Sequence, residues 1–254
     1  RQTLDHAAVT GCLMTTDAGD FWQGGGGIYN GDGATLNLID STVSNNTSGW
    51  AGGGVFSFFN TTTNVIRSTV SGNTATDVGG GMRSLGNAEV INSTLSGNES
   101  IAWHGGAVFQ TDGVMNLVNS SVADNTSPAG TGALFVGTFT DVGATLTLTN
   151  TIVSGNSALG CFAGFFGGGA VALTSLGHNI ASDASCNLTA AGDQPGTDPL
   201  LAALADNGGP TLTHALLVGS PAIDAADNRV CPATDQRGVL RDAACDVGSF
   251  EYVP

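Results

Sequence analysis

Short aliphatic runs return along this chain at a fixed spacing, with hydroxyl and amide residues between them. One phrase occurs five times: Leu38-Ile-Asp-Ser-Thr-Val-Ser-Asn-Asn46, Val65-Ile-Arg-Ser-Thr-Val-Ser-Gly-Asn73, Val90-Ile-Asn-Ser-Thr-Leu-Ser-Gly-Asn98, Leu117-Val-Asn-Ser-Ser-Val-Ala-Asp-Asn125 and Leu148-Thr-Asn-Thr-Ile-Val-Ser-Gly-Asn156. Its closing Asn recurs at intervals of 27, 25, 27 and 31 residues. A second phrase is interleaved with it: Gly27-Ile-Tyr, Gly54-Val-Phe, Gly81-Met-Arg, Ala107-Val-Phe, Ala133-Leu-Phe and Ala170-Val-Ala. Two independent phrases that keep step define a structural repeat of about 26 residues.

Each repeat has room for about three short strands, and no segment carries helical periodicity. The leucine-rich framework is missing, and a propeller blade needs about 40 residues. The pattern therefore predicts an all-β fold, a right-handed parallel β-helix (a β-solenoid of about six to seven coils), its hand set by the usual crossover preference. Coils are expected over residues 1–157. Residues 158–254, where the repeat stops and Cys and Pro accumulate, are expected to form a last coil and a disulfide-pinned C-terminal cap. A short helix is expected over Leu200 to Ala205.

The columns of the repeat assign positions. The Leu38 and Val43 columns are always aliphatic and should face the core. The column Asn46, Asn73, Asn98, Asn125 and Asn156 should close each coil in a left-handed conformation and stack its amides as a ladder. Ile39, Ile66 and Ile91 lie next to the inward column, so alternation points them outward. The column of Tyr29, Phe56, Phe109 and Phe135 also contains Arg83, which argues for an exposed face. Both columns are candidate interaction surfaces, for self-association head to tail or laterally, or for stacking on surface glycans.

Composition narrows the setting. Among 254 residues there are 39 Gly, six Arg, no Lys and 21 acidic residues, giving a net charge of −15. No basic stripe is available to neutralise phosphates, so no nucleic-acid partner is expected. No apolar run is long enough for a membrane span. Of five cysteines, Cys161, Cys186, Cys231 and Cys245 fall at loop-like positions. Proximity favours Cys161–Cys186 and Cys231–Cys245 among three possible pairings, and disulfides point to an extracellular setting. Cys12 is left over, either buried and free or paired outside the chain. Asn92 and Asn119 are the better candidates for glycosylation among many Asn-x-Ser/Thr sequons.

At the level of whole motifs, Gly24-Gly-Gly-Gly-Ile-Tyr-Asn30 with Asp40-Ser-Thr-Val-Ser-Asn-Asn46 resembles the repeats of bacterial β-helix surface proteins of the polymorphic outer-membrane type. The tail, with Gly177-His-Asn-Ile180, Asp198-Pro-Leu200, Leu204-Ala-Asp-Asn-Gly-Gly-Pro-Thr211, Gly219-Ser-Pro-Ala-Ile-Asp224, Asp235-Gln-Arg-Gly238 and Cys245-Asp-Val-Gly-Ser-Phe-Glu-Tyr252, resembles the choice-of-anchor Q domain. That resemblance implies a secreted or surface-attached β-helix and brings no catalytic residues with it.

Candidate chemistry is sparse. A polyuronate lyase needs a base and charge neutralisers, and the coils offer only Arg67 and Arg83, in different columns. A hydrolase needs focused carboxylates, whereas the coil acids are spread over several columns. Histidines 6, 104, 178 and 214 lack ligand spacing. No cofactor is expected, with calcium the one weak candidate, at the Asp-bearing turns holding Asp17, Asp20 and Asp32. Arg229, Arg237 and Arg241 are expected to pair with Asp224, Asp235 or Asp246. The sequence thus predicts a non-enzymatic, extracellular β-helix rod, a filament former or an adhesin on a bacterial surface. A carbohydrate-active enzyme or a glycan-binding module on the same scaffold is the alternative.

Overall fold

The computed structural model describes residues 1–15, 24–128, 131–157, 159–165 and 167–254, and of Phe165 only the backbone. It is an all-β solenoid of about six turns, with parallel ladders between successive coils and no helix among the described residues. The first sheet has seven strands, from Gln2–Asp5 and Thr35–Ile39 up to Val171–Gly177. The second has eight, from Ala8–Thr10 and Thr42–Ser44 up to Gln194–Pro195. The third has six, from Ile28–Asn30 to Leu159–Phe165, and a four-stranded ribbon begins at Leu13–Met14.

Register follows the repeat. Leu38 pairs with Val65, Val65 with Val90, Val90 with Leu117 and Leu117 with Leu148. Val43, Val70, Leu95, Val122 and Val153 form a second file. The third sheet contributes Ile28, Val55, Met82, Val108, Leu134 and Cys161. All three files meet in one buried aliphatic core, so apolar burial supplies the main driving force along the whole rod.

Two polar ladders hold the corners. In the first, Asn46, Asn73, Asn98 and Asn125 each donate both the backbone N–H and Nδ2 to the Oδ1 of the next Asn, at 2.9–3.1 Å. Each Nδ2 also donates to a carbonyl of the coil before, for example Asn73 to Val43 at 2.9 Å. One amide side chain thus ties three coils. The left-handed residue at this corner is the one before the Asn: Asn45, Gly72, Gly97, Asp124 and Gly155. That corrects the expected assignment, because the ladder needs the closing Asn turned inward while its neighbour makes the bend. At the other corner His6, Asp40, Arg67, Asn92, Asn119, Asn150 and His178 all have positive φ. There the N–H groups of Ala7, Ser41, Ser68 and Ser93 donate to the next coil's Ser hydroxyl at 3.0–3.2 Å. The third turn is tight enough to need glycine, since a Cβ on Gly53 would collide with the Gly80 carbonyl.

The disulfides are Cys161–Cys186 and Cys231–Cys245, and Cys12 is free and exposed. The C-terminal segment does two jobs. Cys186 and Leu188 enter the main core and cover its end. From Pro199 onward the chain instead returns along the outer face of the second sheet, which presents hydroxyls. Gln236 Nε2 donates to Thr69 Oγ1, Thr211 Oγ1 and the Leu212 carbonyl, and its Oε1 accepts from Thr94. Ser96 meets His214 Nε2 at 2.8 Å, and Ser249 donates to Ser121. Leu216, Ala222, Val247 and Phe250 pack on Ile152 and Ile180 beside this network. In place of the expected helix over 200–205, Leu201 bridges Leu216 and Ala205 bridges Thr213, both antiparallel. The return strand supplies partners to that backbone that a lone helical turn would lack.

The tail arginines are all paired: Arg229 with Asp227, Arg237 with Asp235 and Arg241 with Glu251. Of the expected acids only Asp235 is such a partner; Asp246 gives Arg241 its backbone carbonyl, and Asp224 pairs with no arginine. Burial pushes the Asp246 carboxyl up from 3.8 to about 6, against hydrogen bonds from the Tyr252 and Asp224 N–H groups that lower it.

Replacing Leu117 by Ala is expected to lower the unfolding free energy by about 2–5 kcal/mol. Asn98→Ala should cost about 3 kcal/mol, because it strands the buried Asn73 N–H and Nδ2; urea unfolding checks both. A carboxyl whose pKa is raised on folding binds extra protons in the native state. Stability from Asp246 should therefore be fully present below pH 4 and fade as pH rises through 6. Asp246→Asn should remove that part of the pH dependence, read as the difference in thermal midpoint from wild type between pH 4 and 7.

Candidate functional site

The outer face of the third sheet carries the file Tyr29, Phe56, Arg83, Phe109, Phe135 and Phe162, one residue per coil in register. Contrary to the expected exposed stripe, Phe56, Phe109 and Phe135 are 0 % exposed and Phe162 is half-buried, while Tyr29, at 50 %, is exposed. The reason lies in the loops on either side, which rise above the sheet and close over it. On one side Trp50, Asp77 and Trp103 lie on successive coils: Asp77 N–H donates to the Trp50 carbonyl at 2.8 Å and Trp103 N–H to the Asp77 carbonyl at 3.1 Å. Each stands two residues ahead of a left-handed glycine, Gly52, Gly79 and Gly105. On the other side stand Phe59, Leu85, Asp112 and Thr140.

Within the file the rings stack, Phe109 on Phe135 at 4.4 Å and Tyr29 on Phe56 at 5.6 Å. Arg83 breaks the stack. Its guanidinium lies 4.4 Å from the Trp50 ring centre, 5.4 Å from Phe56 and 5.7 Å from Phe109. The residue is 5 % exposed, and its Nε has no hydrogen-bond acceptor. Burial lowers its pKa to about 10, opposed by Asp77 and Asp112, so it stays charged at neutral pH. Asp112 is 3 % exposed. Its Oδ1 accepts from Thr138 at 3.0 Å and Thr140 at 2.7 Å, while its Oδ2 is buried without a donor.

These groups surround a cavity of about 310 Å³ walled by Trp50, Trp103, Phe59, Phe109 and Phe139, with Arg83, Asp77 and Asp112 the charged members of its lining. His104 stacks on Phe135 at 4.6 Å beside it, and burial holds its imidazole below the ordinary range. Aromatic faces, a hydrogen-bond donor without an acceptor and a carboxylate oxygen without a donor form a site for a ligand with both apolar faces and hydroxyls. The coil acids are dispersed over several columns of the repeat, yet the fold brings Asp77 and Asp112 to one cavity. Trp50 and Trp103 lie outside the recurring phrases, and their shared offset from a glycine is the sequence signal that marks them.

The other predicted residues are placed elsewhere. Ile39, Ile66 and Ile91 lie outside the buried core and are half-buried at strand ends, and the returning tail bonds to the residue after two of them: Thr211 to the Arg67 carbonyl, and Arg241 to Asn92. Asn92 and Asn119 are 3 % and 0 % exposed. Their Nδ2 atoms donate to the carbonyls of Thr234 and Asp246, so a glycan has no room on either. Asp17 and Asp20 lie outside the described residues; Asp32 is exposed and accepts from Asn60. Among the described residues the carboxylates and imidazole of Asp5, His6 and Asp40 come close together, but Arg67 already forks onto Asp40 at 2.7 and 2.8 Å. Comparison with protein-family models, curated proteins and solved structures finds no match.

A buried charge without hydrogen bonds costs stability. Arg83→Met, similar in volume and apolar, is expected to raise the unfolding free energy by about 1–4 kcal/mol. Thermal unfolding of the variant checks this.

Proposed function

We propose that this protein is a non-enzymatic, extracellular β-solenoid that acts as an adhesin by binding carbohydrate in the aromatic cavity. The observation that carries this reading is the buried pair of unsatisfied groups, Arg83 Nε and Asp112 Oδ2, among tryptophan and phenylalanine rings. A pyranose offers C–H faces to such rings and hydroxyls that donate to a carboxylate and accept from a guanidinium. Two disulfides support the extracellular setting, and the likeness of the repeats and tail to bacterial surface β-helix proteins points the same way.

A second reading is favoured by one observation: Asp77 and Asp112 share the cavity with Arg83, a lining on which glycosidic cleavage would use the carboxylates as acid and base. Incubation with a glycan panel separates the two. The adhesin reading expects bound sugar and no new reducing ends or unsaturated products; Trp50→Ala and Trp103→Ala should each weaken binding about tenfold, the loss of one stacking face. Product that disappears in Asp112→Asn would replace it by the enzyme reading, and a panel with no binding would end both.

A further inference from the structure

We infer that the ligand is a linear, neutral oligosaccharide lying in a groove that starts in the aromatic cavity and runs around the corner of the solenoid onto the outer face of the first sheet. This rests on the carbohydrate reading above and adds the form and charge of the sugar.

The groove is visible as three concavities with shared walls. Phe59, Leu85, Asp112 and Thr140 line both the aromatic cavity and a second hollow of about 440 Å³. Thr62 and Asn87 then line both that hollow and a third, of about 470 Å³, that opens on the first sheet. Its course follows the same three coils around the corner where the third sheet passes to the first, from Phe59 to Thr62, from Leu85 to Asn87 and from Asp112 to Val114. The lining changes along the way, from rings at the start to short amides and hydroxyls further on. Asn87 Oδ1 is used by the Val114 N–H at 3.0 Å, which leaves its Nδ2 for a ligand. Asn116 Oδ1 accepts from Thr147 at 2.6 Å and likewise leaves its Nδ2.

The chemistry selects among extended ligands. An extended peptide binds by adding to an open sheet edge, but the groove lies over the face of strands whose backbone groups are already paired on both sides by the parallel ladders. A uronate chain would meet Asp77, Asp112 and Glu89 against the single charge of Arg83. A neutral glycan has hydroxyls on every unit for the successive Asn and Thr side chains, and one flat ring face for the tryptophans. The first ring is therefore anchored between aromatic walls, with Arg83 and Asp112 reading its hydroxyls, and the following units lie over the corner.

The test is titration calorimetry of the whole chain with gluco-, manno-, xylo- and galacto-oligomers of one to six units, beside oligogalacturonates of the same lengths. The expected result is that a neutral series binds, with affinity rising about tenfold or more from monomer to tetramer as further hydrogen-bonded units are added. Asn87→Ala, with circular dichroism to verify the fold, should narrow the tetramer-to-monomer ratio several-fold, and Trp103→Ala should weaken every length. A monomer that binds as tightly as the tetramer, or binding by the galacturonates in preference to the neutral series, would overturn the groove while leaving carbohydrate recognition standing. No binding by any saccharide would remove the carbohydrate reading and the groove with it.

Discussion

The rest of the molecule depends on the buried amide ladder. An asparagine side chain has one acceptor and two donors in fixed geometry, and here the acceptor takes the previous coil while the donors reach the next coil's amide and a preceding carbonyl. Stacked at every turn, this arrangement sets the height and rotation of each coil relative to its neighbours. A one-residue slip would strand several buried polar groups at once, so the register is far more strongly specified than aliphatic packing alone would make it. The repeat tolerates spacings from 25 to 31 residues because the differences fall in loops away from this corner.

Once coils are locked in register, side chains at equivalent positions of neighbouring loops are stacked as well. That is how Trp50, Asp77 and Trp103 form one wall although they lie outside the recurring phrases. It is also how an arginine came to occupy a place in an aromatic file. Rings at that position satisfy one another by stacking; a guanidinium there has ring faces on several sides and no acceptor at its Nε. That arrangement lacks the hydrogen bonds that usually accompany a buried charge.

The second sheet shows the complementary use of polarity. Its outer face carries Thr69, Thr94, Ser96 and Ser121, hydroxyls that water could satisfy, and the returning tail satisfies them through Gln236, His214 and Ser249 instead. The tail thereby becomes part of the side of the rod, while only its first part, around Cys186 and Leu188, closes the end.

The parallel solenoid, two of its three aliphatic files, the amide ladder and the two disulfides were legible in the chain alone. Each depends on a residue's place in its own repeat, which period and side-chain type express directly. The rings of Phe56, Phe109 and Phe135 could be assigned to the outer face but not to burial, because what covers them comes from loops outside the recurring phrases. Likewise Asn92 and Asn119 read as surface sequons until the tail, more than a hundred residues later, lay across them. Local periodicity determines which way a side chain points; only the packing of distant segments decides whether that direction ends in water, in a neighbour or in a cavity.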